Sequence, residues 1–165
     1  MKRLIGCDVD DVIVAPPWKE WIAANPNKDR LDFWRSPTLY DNLEPIQGSV
    51  EALRELSKHF DIVFISKLKG QHHSSKVKFV KRNFPFLAGF MGTHEKYLMN
   101  NSLVAMIDDK HAMLEGFDLP KRVLYSTPYT QTSECPVNFL IESWEMFSVR
   151  AFLEYYYVGQ SVEDK

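Results

Sequence analysis

The chain has 165 residues, 45% of them hydrophobic and 13% aromatic, which suits one domain with a substantial core. A formal net charge of -2 recommends neither a nucleic-acid polymer nor an anionic membrane as a partner. No apolar run is long enough to span a bilayer, no signal-peptide core precedes the first strand, and Cys7 and Cys135 lack zinc-site or disulfide-framework spacing; the expected compartment is the cytoplasm, with Cys7 a small buried hydrophobe.

Met1 to Ile5 reads as a buried strand, followed by Gly6-Cys7-Asp8-Val9-Asp10-Asp11-Val12, and Pro16-Pro17 ends regular structure. Three carboxylates are therefore expected at the C-terminal tip of the first strand, where open α/β sheets hold ligands. Alternation along an extended chain puts Asp8 and Asp10 on one side, with Val9 facing away. A divalent cation with oxygen ligands relieves their repulsion most simply; a polar turn is the alternative. Residues 16–44 read as a small helical insert over this tip. Trp18, Trp21 and Ile22 fall at helical spacing before Asn25-Pro26-Asn27, and Leu31, Phe33 and Trp34 form a second cluster before Ser36-Pro37. These aromatics suit packing of the insert onto the domain and, for one or two of them, stacking on a planar ligand.

After the turn Leu43 to Gly48, Ser49 is expected to cap an amphipathic helix carrying Val50, Leu53 and Leu56. Phe60 to Ile65 is a buried parallel strand that stops at Ser66-Lys67-Leu68-Lys69-Gly70. Gln71-His72-His73 opens a helix with Val77, Phe79 and Val80, and both histidines are expected to be solvated, since neighbours on a helix point apart. Leu87 to Met91 is a short strand, and Leu103 to Ile107 is a buried one ending in Asp108-Asp109. His111 to Gly116 is a short helix closed by its glycine, and Arg122 to Tyr125 is the last core strand. Ser126 to Pro136 reads as a mobile surface loop. A helix runs from Ser143 to about Tyr157, and the residues after it are expected to fray. Alternating strands and helices without repeat or linker predict a single domain over 1–165: a Rossmann-like doubly wound parallel sheet with the 16–44 insert.

Only the carboxyl edge of such a sheet brings together Asp8 and Asp10, Ser66, Lys96 and the Asp108-Asp109 pair. Through these residues the chain resembles the haloacid dehalogenase superfamily of phosphohydrolases, in all four motifs and in their order. These are Asp8-Val9-Asp10-Asp11-Val12, the strand Ile62 to Ser66, the lone Lys96, and Met106-Ile107-Asp108-Asp109. Within it the chain is most similar to the 5′(3′)-deoxyribonucleotidases, through Asn42 to Gly48, Ser66 to Lys69 with His72-His73, and Thr93-His94-Glu95-Lys96 leading to Ile107 to Lys110. Phe33-Trp34 resembles a cap dipeptide that flanks the nucleobase. The insert is shorter than in the animal enzymes, His94 stands where they carry arginine, and Asp11 replaces their glycine.

The resemblance implies a haloacid dehalogenase-like core with a small cap, and a Mg²⁺-dependent phosphomonoesterase acting on nucleoside monophosphates through an aspartyl-phosphate. It implies Asp8 as nucleophile, Asp10 as general acid and base, and Ser66 and Lys96 on the phosphoryl oxygens. It also implies Lys69, Phe33, Trp34 and His94 on the substrate, with the ion held by Asp8, the Asp10 carbonyl and Asp108, and Asp109 orienting Lys96 or a water beside it. The alternatives are the same chemistry on another small phosphorylated metabolite, or a catalytically silent binding protein. Phe152 to Val158 is apolar enough to hide part of a homodimer contact.

Overall fold

In a computed structural model that describes residues 2–158 apart from 69, 129 and 131–134, the apolar runs pair into one parallel sheet. Its strands include β1 (Arg3–Cys7), β2 (Phe60–Ser66), β3 (Gly89–Gly92), β4 (Ala105–Asp108) and β5 (Arg122–Tyr125). A further edge strand, β6 (Phe139–Ile141), has no counterpart in the sequence reading, because three residues carry too little pattern to register. The six strands run in the order β3-β2-β1-β4-β5-β6. The chain adds β2 and β3 on one side of β1, then returns to lay β4, β5 and β6 on the other. The reversal opens a crevice at the carboxyl ends of β1 and β4, the switch point at which this kind of sheet binds ligands.

Alternation fills both faces. Ile5, Cys7, Ile62, Phe64, Ala105, Ile107, Val123 and Tyr125 enter one core cluster with α3 (Ser49–Leu56), α4 (His73–Asn83) and α6 (Met146–Leu153). Ile65, Met106 and Leu124 enter a smaller one on the opposite face with Leu114 of α5 (His111–Leu114). The 16–44 segment carries α1 (Trp18–Ala24) and α2 (Arg30–Trp34), and Asp29 caps α2 by accepting from the Leu31 amide at 2.9 Å. Both helices are too short to stand alone and lean on one another through the Trp21–Phe33 ring contact.

Several local expectations change. Gly48, at φ +80°, occupies the N-cap of α3, and Ser49 lies inside the helix with its Oγ buried and without a hydrogen-bond partner. The close approach explains the glycine: a Cβ there would sit 2.8 Å from the Trp144 carbonyl oxygen. His72 is not solvated. It ends a 3₁₀ turn, Gly70–His72, and is buried with Nδ1 2.7 Å from the Trp34 carbonyl oxygen, while His73 is exposed. α5 stops at Leu114, before Gly116. In the Phe152–Val158 run, Phe152 and Tyr156 are fully buried, whereas Tyr155 and Tyr157 keep 45% and 44% of their surface. The run therefore serves the core first. The Ser126–Pro136 loop falls partly, and residues 159–165 wholly, outside the described residues. Among the described residues, no helix is long and apolar enough to cross a membrane.

Candidate active site

One residue beyond the last registered pair of β1 and β4, Cys7–Ile107, the Asp8 amide donates to the Ile107 carbonyl at 2.8 Å. Asp8 and Asp108 thus leave adjacent strands side by side. A carboxylate oxygen from each of Asp8, Asp108 and Asp109 lies within 4.8 Å of the others, and all three residues are buried. Lys96, in the 3₁₀ turn Lys96–Met99, reaches into this group: its Nζ is 2.7 Å from Asp8 Oδ1 and 2.8 Å from Asp108 Oδ2. Asp109 pairs with Lys110 at 3.1 Å rather than with Lys96.

The charges are poorly compensated. Burial pushes Asp8 up to about 6 from 3.8 against the pull of Lys96, and pushes Asp109 up to about 6 against the pull of Lys110. Asp108 is raised for the same reason. Burial works against the Lys96 charge, but Asp8 and Asp108 outweigh it and hold its pKa above the usual lysine range. Three carboxylates crowd two ammonium groups. An all-oxygen, anionic and buried donor set of this kind suits a hard divalent cation.

Beyond Asp8 the chain folds back on itself. The Val9 carbonyl accepts from the Ile13 and Val14 amides at 3.0 and 3.2 Å, and the Asp11 amide donates to the Val14 carbonyl at 2.7 Å. Asp11 sits at φ +62°, a left-handed conformation that aspartate tolerates better than most residues. The Trp144 Nε1–H secures the turn by donating to the Val12 carbonyl at 2.7 Å. This backbone turns the Asp10 carboxylate toward α4. There Lys76 Nζ lies 2.7 Å from Asp10 Oδ2 and 2.9 Å from Ser66 Oγ, and the Tyr40 hydroxyl donates to Asp10 Oδ1 at 2.5 Å.

Lys76 and Tyr40 are absent from the sequence reading. Lys76 had a legible signal, since it shares one helical stripe with Phe79 and Val80, and a lysine there is buried only with a partner. Tyr40 had none, for nothing separates it from the other aromatic residues of the insert.

A pocket of about 210 Å³ opens over these groups. Asp8, Asp10 and Asp11 meet four cations there (Arg30, Lys67, Lys96 and Lys110) and the apolar faces of Trp18, Trp34 and Met113. The structure brings Asp8, Asp10, Trp34 and Lys96 to the pocket, with Ser66, Asp108 and Asp109 joined to them through the contacts above. Phe33 does not line it; its ring is buried against Trp21 and Trp34. His94 is exposed and lies outside the lining, and Lys69 lies outside the described residues.

Residues 7–150 match the family model described as 5′ nucleotidase, deoxy (Pyrimidine), cytosolic type C protein. The chain belongs to this family. The family is one of phosphoric monoester hydrolases of the 5′-nucleotidase type, and the resemblance carried by the ordered motifs therefore holds. Among curated proteins, none matches the sequence.

Solved structures similar in fold include a haloacid dehalogenase-like hydrolase from Burkholderia xenovorans, at 13% identity and TM-score 0.61 over 93% of this chain and 98% of that one. A haloacid dehalogenase-like family hydrolase from Xanthomonas campestris aligns at 12% identity and TM-score 0.55, covering 96% and 98%. The HAD-hydrolase YfnB from Bacillus subtilis, solved bound to magnesium, aligns at 14% identity and TM-score 0.58, covering 88% and 96%. The doubly wound haloacid dehalogenase-like fold is thereby shared across the chain.

Proposed function

We propose that the protein is a Mg²⁺-dependent 5′(3′)-deoxyribonucleotidase that hydrolyses deoxynucleoside monophosphates in the cytoplasm, with residues 16–44 acting as a substrate-facing cap. The observation that carries this reading is the convergence of Asp8, Asp108, Asp109 and Lys96 beneath a pocket walled by two indoles. Asp8, the Asp10 carbonyl and Asp108, with Asp109 beside them, would hold the ion, which when bound offsets the repulsion between the phosphoryl group and these carboxylates.

In the first step a carboxylate oxygen of Asp8 attacks phosphorus, the ester P–O bond breaks, and Asp10 gives its proton to the departing sugar oxygen. In the second, Asp10 takes a proton from water, the water oxygen bonds to phosphorus, and the Asp8–phosphoryl bond breaks to release phosphate. Ser66, Lys76 and Lys96 would donate hydrogen bonds to the phosphoryl oxygens, and Lys76 reaches both Ser66 and Asp10. Trp18 and Trp34 offer faces for the base.

The small pocket favours a second reading. Its 210 Å³ lies below the roughly 300 Å³ at which ligand pockets usually begin, and this suits a smaller phosphomonoester handled by the same residues. Phosphate release measured across nucleotides and sugar phosphates with Mg²⁺ separates the two. Preference for deoxynucleoside monophosphates is expected. Preference for sugar phosphates replaces the first reading with the second, and no release from any monoester leaves a silent binding protein.

A further inference from the structure

Each oxygen of the Asp10 carboxylate is taken by a different side-chain donor. Lys76 comes from α4 and the Tyr40 hydroxyl from the C-terminal part of the 16–44 insert. Lys76 is shared, because Ser66 Oγ lies 2.9 Å from the same ammonium. In the proposed reaction a phosphoryl group held by Ser66 would compete with Asp10 for Lys76. Tyr40 is not shared in this way. Its ring is fully buried, stands 5.5 Å from that of His72 and 6.2 Å from that of Phe79, and carries the Lys76 ammonium 4.8 Å from its centroid. Its hydroxyl is directed at Asp10 alone among the described contacts.

We propose that Tyr40 is a positioning residue: its hydroxyl fixes the rotation of the Asp10 carboxylate, so that Asp10 stays aimed at the leaving oxygen when Lys76 turns to the substrate. The inference rests on the reading of Asp10 as the proton donor in the proposed reaction. A proton donor that rotates freely loses the alignment on which most of its benefit depends. Phenylalanine keeps the packing of Tyr40 and removes only this bond.

The test compares Tyr40→Phe with Asp10→Asn on two substrates, a deoxynucleoside 5′-monophosphate and p-nitrophenyl phosphate. The first leaves as a strongly basic alkoxide that needs a proton, whereas the second leaves as a stable phenolate that does not. The parameter is kcat/KM, which reports steps only through transfer to Asp8. Tyr40→Phe is expected to lower kcat/KM for the nucleotide by about tenfold or more, within the roughly 10²–10⁴ that a general acid supplies, and to leave that for p-nitrophenyl phosphate within about threefold. Asp10→Asn is expected to show the same split, enlarged. Equal losses on both substrates, or no loss, in Tyr40→Phe alongside a split in Asp10→Asn overturns the role of Tyr40 and leaves Asp10 intact. No split in Asp10→Asn overturns the reading of Asp10, and the inference with it. A crystal structure of the unaltered protein with Mg²⁺ and vanadate gives a second readout, independent of the folding of either variant. The Tyr40 hydroxyl still bonded to Asp10 supports the proposal, and a carboxylate turned away from it overturns it.

Discussion

Asp8→Asn should make the metal-free protein more stable while abolishing turnover. Burial, opposed by Lys96, holds Asp8 at about 6 rather than 3.8. At about 1.36 kcal/mol per pH unit, keeping this buried group ionised costs the fold about 3 kcal/mol at pH 7.5. Asparagine has nearly the shape of the neutral acid and escapes that cost, but its amide hydrogens face Lys96 imperfectly paired, which returns about 1–2 kcal/mol. A net gain of about 1–2 kcal/mol remains, a rise in Tm of roughly 2–8 °C for a chain of this size. The sign follows from linkage. A carboxyl whose folded pKa lies above its unfolded one contributes stability that is fully present below about pH 4 and lost as pH rises through about 6. The advantage of the variant should therefore turn into a deficit of about 1 kcal/mol at pH 4, where only the imperfect pairing with Lys96 is left, and be complete by pH 7.5. Thermal unfolding in EDTA at pH 4, 6 and 7.5 measures it. A variant no more stable than the parent at pH 7.5, or one with a gain independent of pH, would refute the claim that Asp8 is a strained anion.

Mg²⁺ should raise the Tm of the parent more at pH 7.5 than at pH 5, because Asp8 and Asp109, both about 6, must lose protons to bind it; a thermal-shift titration at the two pH values reads the difference. Lys76→Met, which keeps the stem and removes a fully buried ammonium, should lower kcat by about 10²-fold or more and leave a folded protein by circular dichroism. Gly48→Ala meets a left-handed φ and the Trp144 carbonyl at 2.8 Å, and should lose about 2 kcal/mol or more in urea unfolding. Asp11→Gly should be tolerated, whereas Asp11→Val should lose about 1–2 kcal/mol by the same assay, since a β-branched residue resists φ +62°.

Most of the sheet was legible in the sequence because β1, β2, β4 and β5 are largely buried on both faces and so appear as predominantly apolar runs. Asp8 and Asp108 were legible for a related reason: a carboxylate directly after such a run must sit at a strand tip. Lys96 was legible only through the order of the motifs, since nothing local says that a lysine in a 3₁₀ turn is buried. Contacts between distant segments were not legible. Tyr40 reaches Asp10 across 30 positions, Lys76 reaches it across 66, and Trp144 reaches Val12 across 132. The same limit applies to His72, whose burial is set by the Trp34 carbonyl and not by its own helix. In the insert, aromatic content announced a cluster but not which rings face the ligand; the structure turns Trp18 and Trp34 to the pocket and Phe33 away from it.

The central claim is that Asp8 takes up phosphorus, and trapping tests it most directly. The protein with Mg²⁺ and a deoxynucleoside monophosphate is quenched during turnover and reduced with borohydride, which converts an aspartyl-phosphate to homoserine, and its peptides are then mapped by mass spectrometry. Homoserine at position 8 is expected. An unmodified Asp8 beside a phosphorylated histidine, serine or another aspartate would contradict the account.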